Sequence, residues 1–285
     1  MIFVTGGTGW IGSELLRLLS RRGAALRALS RDPARGEALP GVEWVEGDLE
    51  DRDGVARALA GAERMFLLTG NDDRMVRLQK NGLRAAREAG LLHVVKLSAL
   101  GASDHSKSLI GMWHWVVERE LERSGLAWTI LRPHHFVQNL LDQREAIVRE
   151  GVVRSPAGDG KIPFIDTRDI AEAAAATLTE PGHAGRTYTL TGAEAISYRE
   201  ATEILTAAVG RPLRFEAETP DEARARLAAA GMDDWAIAAQ LAIAAYQRAG
   251  GPTAQTTDDV ERVLGRPPRS VRDFARDHAE LFTNG

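Results

Sequence analysis

The chain has 285 residues, 44% hydrophobic and 27% charged, the proportions of a folded globular protein rather than a disordered one. It has no cysteine, which excludes disulfides, thiolate metal sites, iron–sulfur clusters and a cysteine nucleophile. With 36 basic and 40 acidic residues the net charge is −4, so no overall charge draws it to nucleic acid or to an anionic membrane.

In chain order, Met1-Ile2-Phe3-Val4-Thr5-Gly6 reads directly as a core strand. No charged and apolar leader pattern precedes it, and a cytoplasmic location is expected. Strands are expected at 2–5, 26–30, 42–46, 65–68, 94–98 and 129–132, with helical periodicity between them at 11–22, 54–60, 73–89 and 111–124. Gly23, Gly61, Gly90 and Gly125 each follow a helical run, where a C-terminal glycine belongs. This alternation predicts an α/β fold with a doubly wound parallel sheet, whose strands are apolar throughout because helices cover both faces.

After Pro133 the rhythm changes. The Gly- and Pro-rich stretch 151–165 is expected to pair as short strands, and 169–179 reads as an Ala-rich helix with Asp169 as its N-cap. One more strand is expected at 187–190, and from Ser197 onward helices dominate: Pro220 opens one, Asp233 caps another and Ser270 starts the last. The apolar runs 171–178 and 235–246 are far short of the ~18 residues a membrane span needs. The expected division is a dinucleotide-binding Rossmann domain at 1–132 and 163–193, with a smaller, mostly helical substrate or cap region at 133–162 and 194–285.

Thr5-Gly6-Gly7-Thr8-Gly9-Trp10-Ile11-Gly12 satisfies G-x-G-x-x-G through Gly7, Gly9 and Gly12, and G-x-x-G-x-x-G through Gly6, Gly9 and Gly12. It lies between the first strand and the first helix, the context that gives the pattern meaning. There the glycines allow a tight turn, and backbone N–H groups at a helix N-terminus can meet a pyrophosphate. The second strand ends at Ser30-Arg31, where NAD-binding proteins carry an acidic residue for the ribose. A guanidinium suits a 2′-phosphate and favours NADP over NAD; Asp32 is the competing candidate, as a ribose acceptor or as a turn cap before Pro33. Gly47-Asp48-Leu49 after the third strand fits an adenine corner, or else a simple turn.

Together with the later run Ser124-Gly125-Leu126-Ala127-Trp128-Thr129-Ile130-Leu131-Arg132-Pro133, these motifs resemble the NmrA-like family of atypical, extended-type short-chain dehydrogenase/reductases. Phe136 and Asn139 continue its L-R-P-x-x-F-x-x-N pattern, and Asp166-Thr167-Arg168-Asp169-Ile170-Ala171 resembles the helix start that follows. The resemblance implies NADP(H) at the carboxyl edge of the sheet and a small-molecule substrate beneath the cap. It also implies that Thr69, Gly70 and Asn81 line the cofactor groove, that Ser98 and Ala99 lie near the nicotinamide, and that Phe136 to Asn139 close over it. Ser98 takes the place of the catalytic serine of ordinary short-chain dehydrogenases, although a serine ending a strand is as readily a turn former. Family members divide between NADPH-dependent reductases, quinone reductases among them, and non-catalytic sensors that bind a protein partner.

The Tyr-x-x-x-Lys pair of ordinary family enzymes is missing. Tyrosines occur only at 188, 198 and 246, and Lys107 falls too early for the helix concerned. Counting back from Gly125 and Leu131-Arg132-Pro133 puts His114 in the lysine's place, between Trp113 and Trp115. With a free-histidine pKa of about 6.5, His114 is a candidate proton donor and ribose contact, or else a helix-face polar contact. His134-His135 carries no metal-binding spacing, no metal is expected, and Trp235 and Tyr246 read as cap packing. The function expected is hydride transfer from NADPH to a flat, electron-poor acceptor (quinone, enone or imine) that needs no strong positioned acid. The alternative is a redox sensor without catalysis.

Overall fold

The computed structural model describes residues 1–283. Strand β1 (Ile2–Val4) is wholly buried, as a central parallel strand must be. The first half then runs α1 (Trp10–Arg21), β2 (Leu26–Ser30), β3 (Val42–Glu46), α2 (Arg52–Ala58), β4 (Arg64–Leu67), α3 (Met75–Glu88), β5 (His93–Leu97), α4 (Leu109–Glu122) and β6 (Ala127–Pro133). The second half runs α5 (Arg144–Glu150), β7 (Val152–Ser155), α6 (Thr167–Thr179), β8 (Arg186–Leu190), α7 (Tyr198–Val209), β9 (Arg214–Ala217), α8 (Pro220–Ala229), α9 (Asp234–Ala249), α10 (Asp259–Leu264) and α11 (Val271–Asp277).

Seven strands form one parallel sheet in the order β3-β2-β1-β4-β5-β6-β8. The order reverses between β1 and β4, so the crevice in which open α/β sheets take their ligands lies at the carboxyl ends of those strands. One face of the sheet is covered by α1, α6 and α10, the other by α2, α3 and α4. Helix α6 is almost completely buried; Ala173, Ala174, Ala175 and Ala176 keep it slim enough to lie on the sheet beside α1, with α10 also packed against it. A third core, built around Val137, Leu140, Ile147, Val153, Leu205 and Phe274, belongs to the smaller unit beyond the sheet's carboxyl edge.

Three details differ from the sequence reading. The stretch 151–165, expected to pair as short strands, contributes one strand and two isolated bridges. Its strand β7 pairs in parallel with β9, in a stretch that read as helical. Four residues are too few for periodicity to identify a strand, and the pairing is long-range. Helix α6 is capped by Asp166, whose carboxylate accepts from the Arg168 N–H at 2.9 Å, and not by Asp169. Asp233 holds the N-cap position of α9 but makes no side-chain capping bond.

Asp169 has a different task. It is fully buried, and its carboxylate receives Arg266 at 2.7 Å, the Arg269 backbone N–H at 2.6 Å and the Arg269 guanidinium. Glu172, one turn on, accepts from the same Arg266 nitrogen and from the other arm of Arg269. This cluster clamps the segment before α11 onto α6. Removing one partner of a buried ion pair leaves the others uncompensated. Asp169→Ala is therefore expected to cost about 3 kcal/mol, the low end for a buried pair because the arginines are partly exposed. Urea denaturation followed by far-ultraviolet circular dichroism measures it; a loss under about 0.5 kcal/mol would show the clamp to be idle.

Candidate active site

The residues singled out in the sequence fall largely on one edge. The glycine loop follows β1, Arg31 follows β2, Asp48 and Leu49 follow β3, Thr69 and Gly70 follow β4, Ser98 and Ala99 follow β5, and Phe136 and Asn139 follow β6. Asn81 and His114 come from α3 and α4.

At the loop, a Cβ on Gly12 would sit 2.2 Å from the Gly6 carbonyl oxygen, so only glycine lets α1 start this close to the end of β1. Gly9 is different. A Cβ there meets nothing nearer than the Gly6 oxygen at 3.5 Å, and Thr8, Gly9 and Trp10 are exposed. The α1 N-terminus is therefore open on its Gly9 side, while the Ile11 side chain is committed to the core. The Thr5 hydroxyl donates to the Leu68 carbonyl at 2.8 Å and accepts the Leu68 N–H at 2.9 Å, tying the ends of β1 and β4 together across the crevice.

After β2, Asp32 accepts the Ala34 N–H at 3.1 Å and caps a short 3-10 turn (Pro33–Arg35). The turn-cap alternative thus accounts for Asp32. Arg31 is exposed and has no hydrogen-bond or carboxylate partner among the described residues. Asp48 closes a turn by accepting the Glu50 N–H at 3.0 Å, and Asn81 donates to the Leu49 carbonyl at 3.0 Å, fixing that corner from α3. Thr69 accepts from the fully buried Gln79 at 2.9 Å, whose own amide oxygen has no partner. Gly70 is exposed at the mouth of the crevice.

Under the end of β5 lies a buried polar group that joins β5, β6 and α4. Ser98 donates its hydroxyl to Glu118 Oε1 at 2.5 Å, and Arg132 grips both Glu118 oxygens at 2.9 and 2.5 Å. The Ser98 proton is thus already given away, which removes it as a donor to substrate. One turn earlier on α4, His114 Nδ1 lies 2.9 Å from the ammonium nitrogen of Lys96, which also donates to the Leu97 carbonyl at 3.0 Å. Lys96 is wholly buried, and burial brings its pKa down to about 7. Burial, and then the Lys96 charge, push His114 well below its ordinary value, so its ring is neutral at pH 7. The imidazolium acid expected from a free-histidine pKa is not present.

Beyond β6, the His135 ring pairs with the Tyr198 hydroxyl at 2.7 Å and with Asn139 at 3.1 Å. His134 turns the other way and pairs with the Thr253 carbonyl at 2.8 Å. Burial holds His135 at about 3 and His134 at about 4, so both rings are neutral. Phe136, partly buried, packs against the first core. Trp113 and Trp235 pack against each other with ring centroids 5.4 Å apart, joining α4 to α9. Sequence reasoning passed over Lys96, Glu118 and Tyr198. The signal for the first was a lysine inside the apolar run Val94-Val95-Lys96-Leu97, where a charge needs a buried partner.

Comparison with known proteins agrees with this picture. The model of the NmrA-like family matches residues 1–266. The chain is 37% identical over 284 residues to the NAD(P)H azoreductase of Xenophilus azovorans, covering 99% of each. It is 39% identical over 288 residues to a (4-alkanoyl-5-oxo-2,5-dihydrofuran-3-yl)methyl phosphate reductase of Streptomyces griseus, again covering 99% of each. The fold superposes with a TM-score of 0.86 on an NADPH-dependent quinone oxidoreductase of Escherichia coli solved with NADPH; identity is 26%, and 97% of this chain and 99% of that one are covered.

The two glycines separate a structural role from a surface one. Gly12→Ala is expected to lower stability by about 2 kcal/mol, since backbone must move to admit the methyl group. Gly9→Ala is expected to cost under about 1 kcal/mol. Thermal melting of both proteins compares them, and equal losses would contradict the loop geometry.

Proposed function

The chain belongs to the NmrA-like family, and on that premise we propose that it is an NADPH-dependent reductase whose acceptor is flat and electron-poor. The site suits the dinucleotide: the opening at Gly9 accommodates a pyrophosphate at the α1 N-terminus, where the helix dipole favours negative charge. Arg31, exposed just after β2 and without a partner among the described residues, would take a 2′-phosphate. Asn81, Thr69 and Gly70 would border the groove, Ser98 and Ala99 the nicotinamide end, and Phe136 and Asn139 the roof. The bound nicotinamide supplies a hydride.

The acceptor class rests on one observation: α4 brings no strong acid to this place. It carries neither tyrosine nor lysine, the Ser98 proton is held by Glu118, and His114 is neutral. A saturated ketone needs a positioned proton as its oxygen becomes an alkoxide. A quinone, a conjugated enone, an imine or an azo bond spreads the incoming charge and can take its proton from water or from a weak N–H donor. The named relatives reduce an azo compound and an oxo-dihydrofuran, both conjugated acceptors. His114 would act here as a neutral donor.

Three measurements test this. Arg31→Ala is expected to remove a preference for NADPH over NADH of at least about tenfold, or about 1.4 kcal/mol, with little effect on NADH; calorimetric titration reads it, and equal affinities in the parent would refute the phosphate assignment. Gly9→Val is expected to fold yet lose the rise in melting temperature that NADPH gives the parent, because ligand stabilises only the state it binds. Finally, loss of reduced-nicotinamide absorbance should accompany a panel of quinones, azo dyes, enones and imines but not simple ketones. Tight NADPH binding with no oxidation by any of them would favour a sensor.

A further inference from the structure

Lys96 is the one lysine in the large sheet's core, and its surroundings are specific. Its neighbours along β5 in the same side-chain direction face α3 and α4, so the ammonium lies between sheet and helix beneath the carboxyl edge. Two of its protons are accounted for, by the Leu97 carbonyl and by His114 Nδ1. An ammonium has no lone pair, so while Lys96 is charged the second contact runs in one direction only, from Nζ–H to Nδ1. A neutral imidazole that accepts at Nδ1 carries its single proton on Nε2. His114 Nε2 has no protein partner among the described residues, and it is absent from the fully enclosed polar atoms that lack one. It is therefore not fully enclosed, in a residue that is 5% exposed overall.

We propose that Lys96 is a positioning residue: it locks His114 in the tautomer that presents an Nε2–H donor to the cofactor ribose or the substrate, replacing from strand β5 the amine that ordinary family enzymes carry on the helix. This rests on the reductase reading for what His114 meets, but the lock itself does not. The charged groups that face the pair are Glu118 from α4 and Arg132 from β6. The first favours the ammonium and the second opposes it. Glu118 is itself fully buried and tied to Arg132, so the net field at Lys96 is small and burial dominates. The lock is accordingly tightest below about pH 7; above it the neutral amine can either donate or accept, and the ring gains its second tautomer.

The test uses the full-length protein labelled with 15N-histidine, with the His114 signals identified by their loss in His114→Asn. Long-range proton–nitrogen correlation spectra at pH 6 should show a protonated Nε2 and a bare Nδ1. An Nδ1–H tautomer in the parent would overturn the proposal without any variant. Raising the pH through 7 should bring in the second tautomer, and a ring that stays purely Nε2–H to pH 9 would mean that another group holds it. Lys96→Met keeps the length of the side chain and removes the donor; its His114 should be mixed at pH 6, and an unchanged tautomer would overturn the assignment.

Two further readouts separate positioning from a merely structural role. Burying a methionine in place of an ammonium removes a desolvation cost, so Lys96→Met should melt no lower than the parent at pH 6. Between pH 7 and 10.5 the unfolded chain holds a proton that folded Lys96 has released, so the parent should gain stability relative to the variant as pH rises. With an active acceptor, kcat should fall at least tenfold and KM for the acceptor change little. If no acceptor is reduced by the parent, the reductase reading fails while the spectra still decide the lock. A mixed ring in Lys96→Met with unchanged kcat would leave Lys96 without a part in the reaction.

Discussion

A carboxylate sealed from water holds the carboxyl edge of the large sheet together. Glu118 lies beneath the end of β5 with no exposure, and removing it from water is costly unless both oxygens are satisfied. Ser98 and Arg132 supply that satisfaction from two adjacent strands. The arrangement fixes the rotation of α4 about its own axis, because one helix residue is bound to two strands at once. His114 stands four positions earlier on the same face, so it is carried against Lys96 by the same constraint.

The same edge shows why a reduced proton supply need not mean a dead enzyme. Ordinary members of this broad class concentrate acidity in a tyrosine activated by a lysine. Here the polar groups are turned inward, toward stability and orientation, with a histidine kept uncharged by burial. On the proposed function, what remains for an acceptor is weak donors such as the neutral His114. The proposed acceptors match that supply, because in them hydride arrival is the difficult step and protonation follows easily.

The large sheet was legible in the sequence because its signals are local. Short apolar runs, helical periodicity and terminal glycines lie within windows of a dozen residues, and the glycine loop announces itself by spacing. The parallel pairing of the strands follows from the alternation, whereas their order is set by contacts between distant strands. What escaped were contacts between residues far apart in the chain. Asp169 read as a cap because capping is a local habit of aspartate, yet its partners lie about a hundred positions on. The β7–β9 pairing, the Lys96–His114 contact and the His135–Tyr198 contact share this property. The pKa of His114 was misjudged for a related reason: a free-histidine value applies in water, and burial is a property of the folded chain.

The outer edge of the sheet is closed by a late piece of the chain. On β8 the Thr189 N–H is accepted by Asp259 at 2.7 Å, and its carbonyl takes the Thr257 hydroxyl, while Val260 and Val263 of α10 complete the first core. During synthesis the seven strands therefore emerge well before the segment that shields them. A nascent or truncated chain ending ahead of residue 257 would display a bare strand edge, the surface from which sheets join one another. That last stretch of sequence therefore guards an edge it does not itself extend.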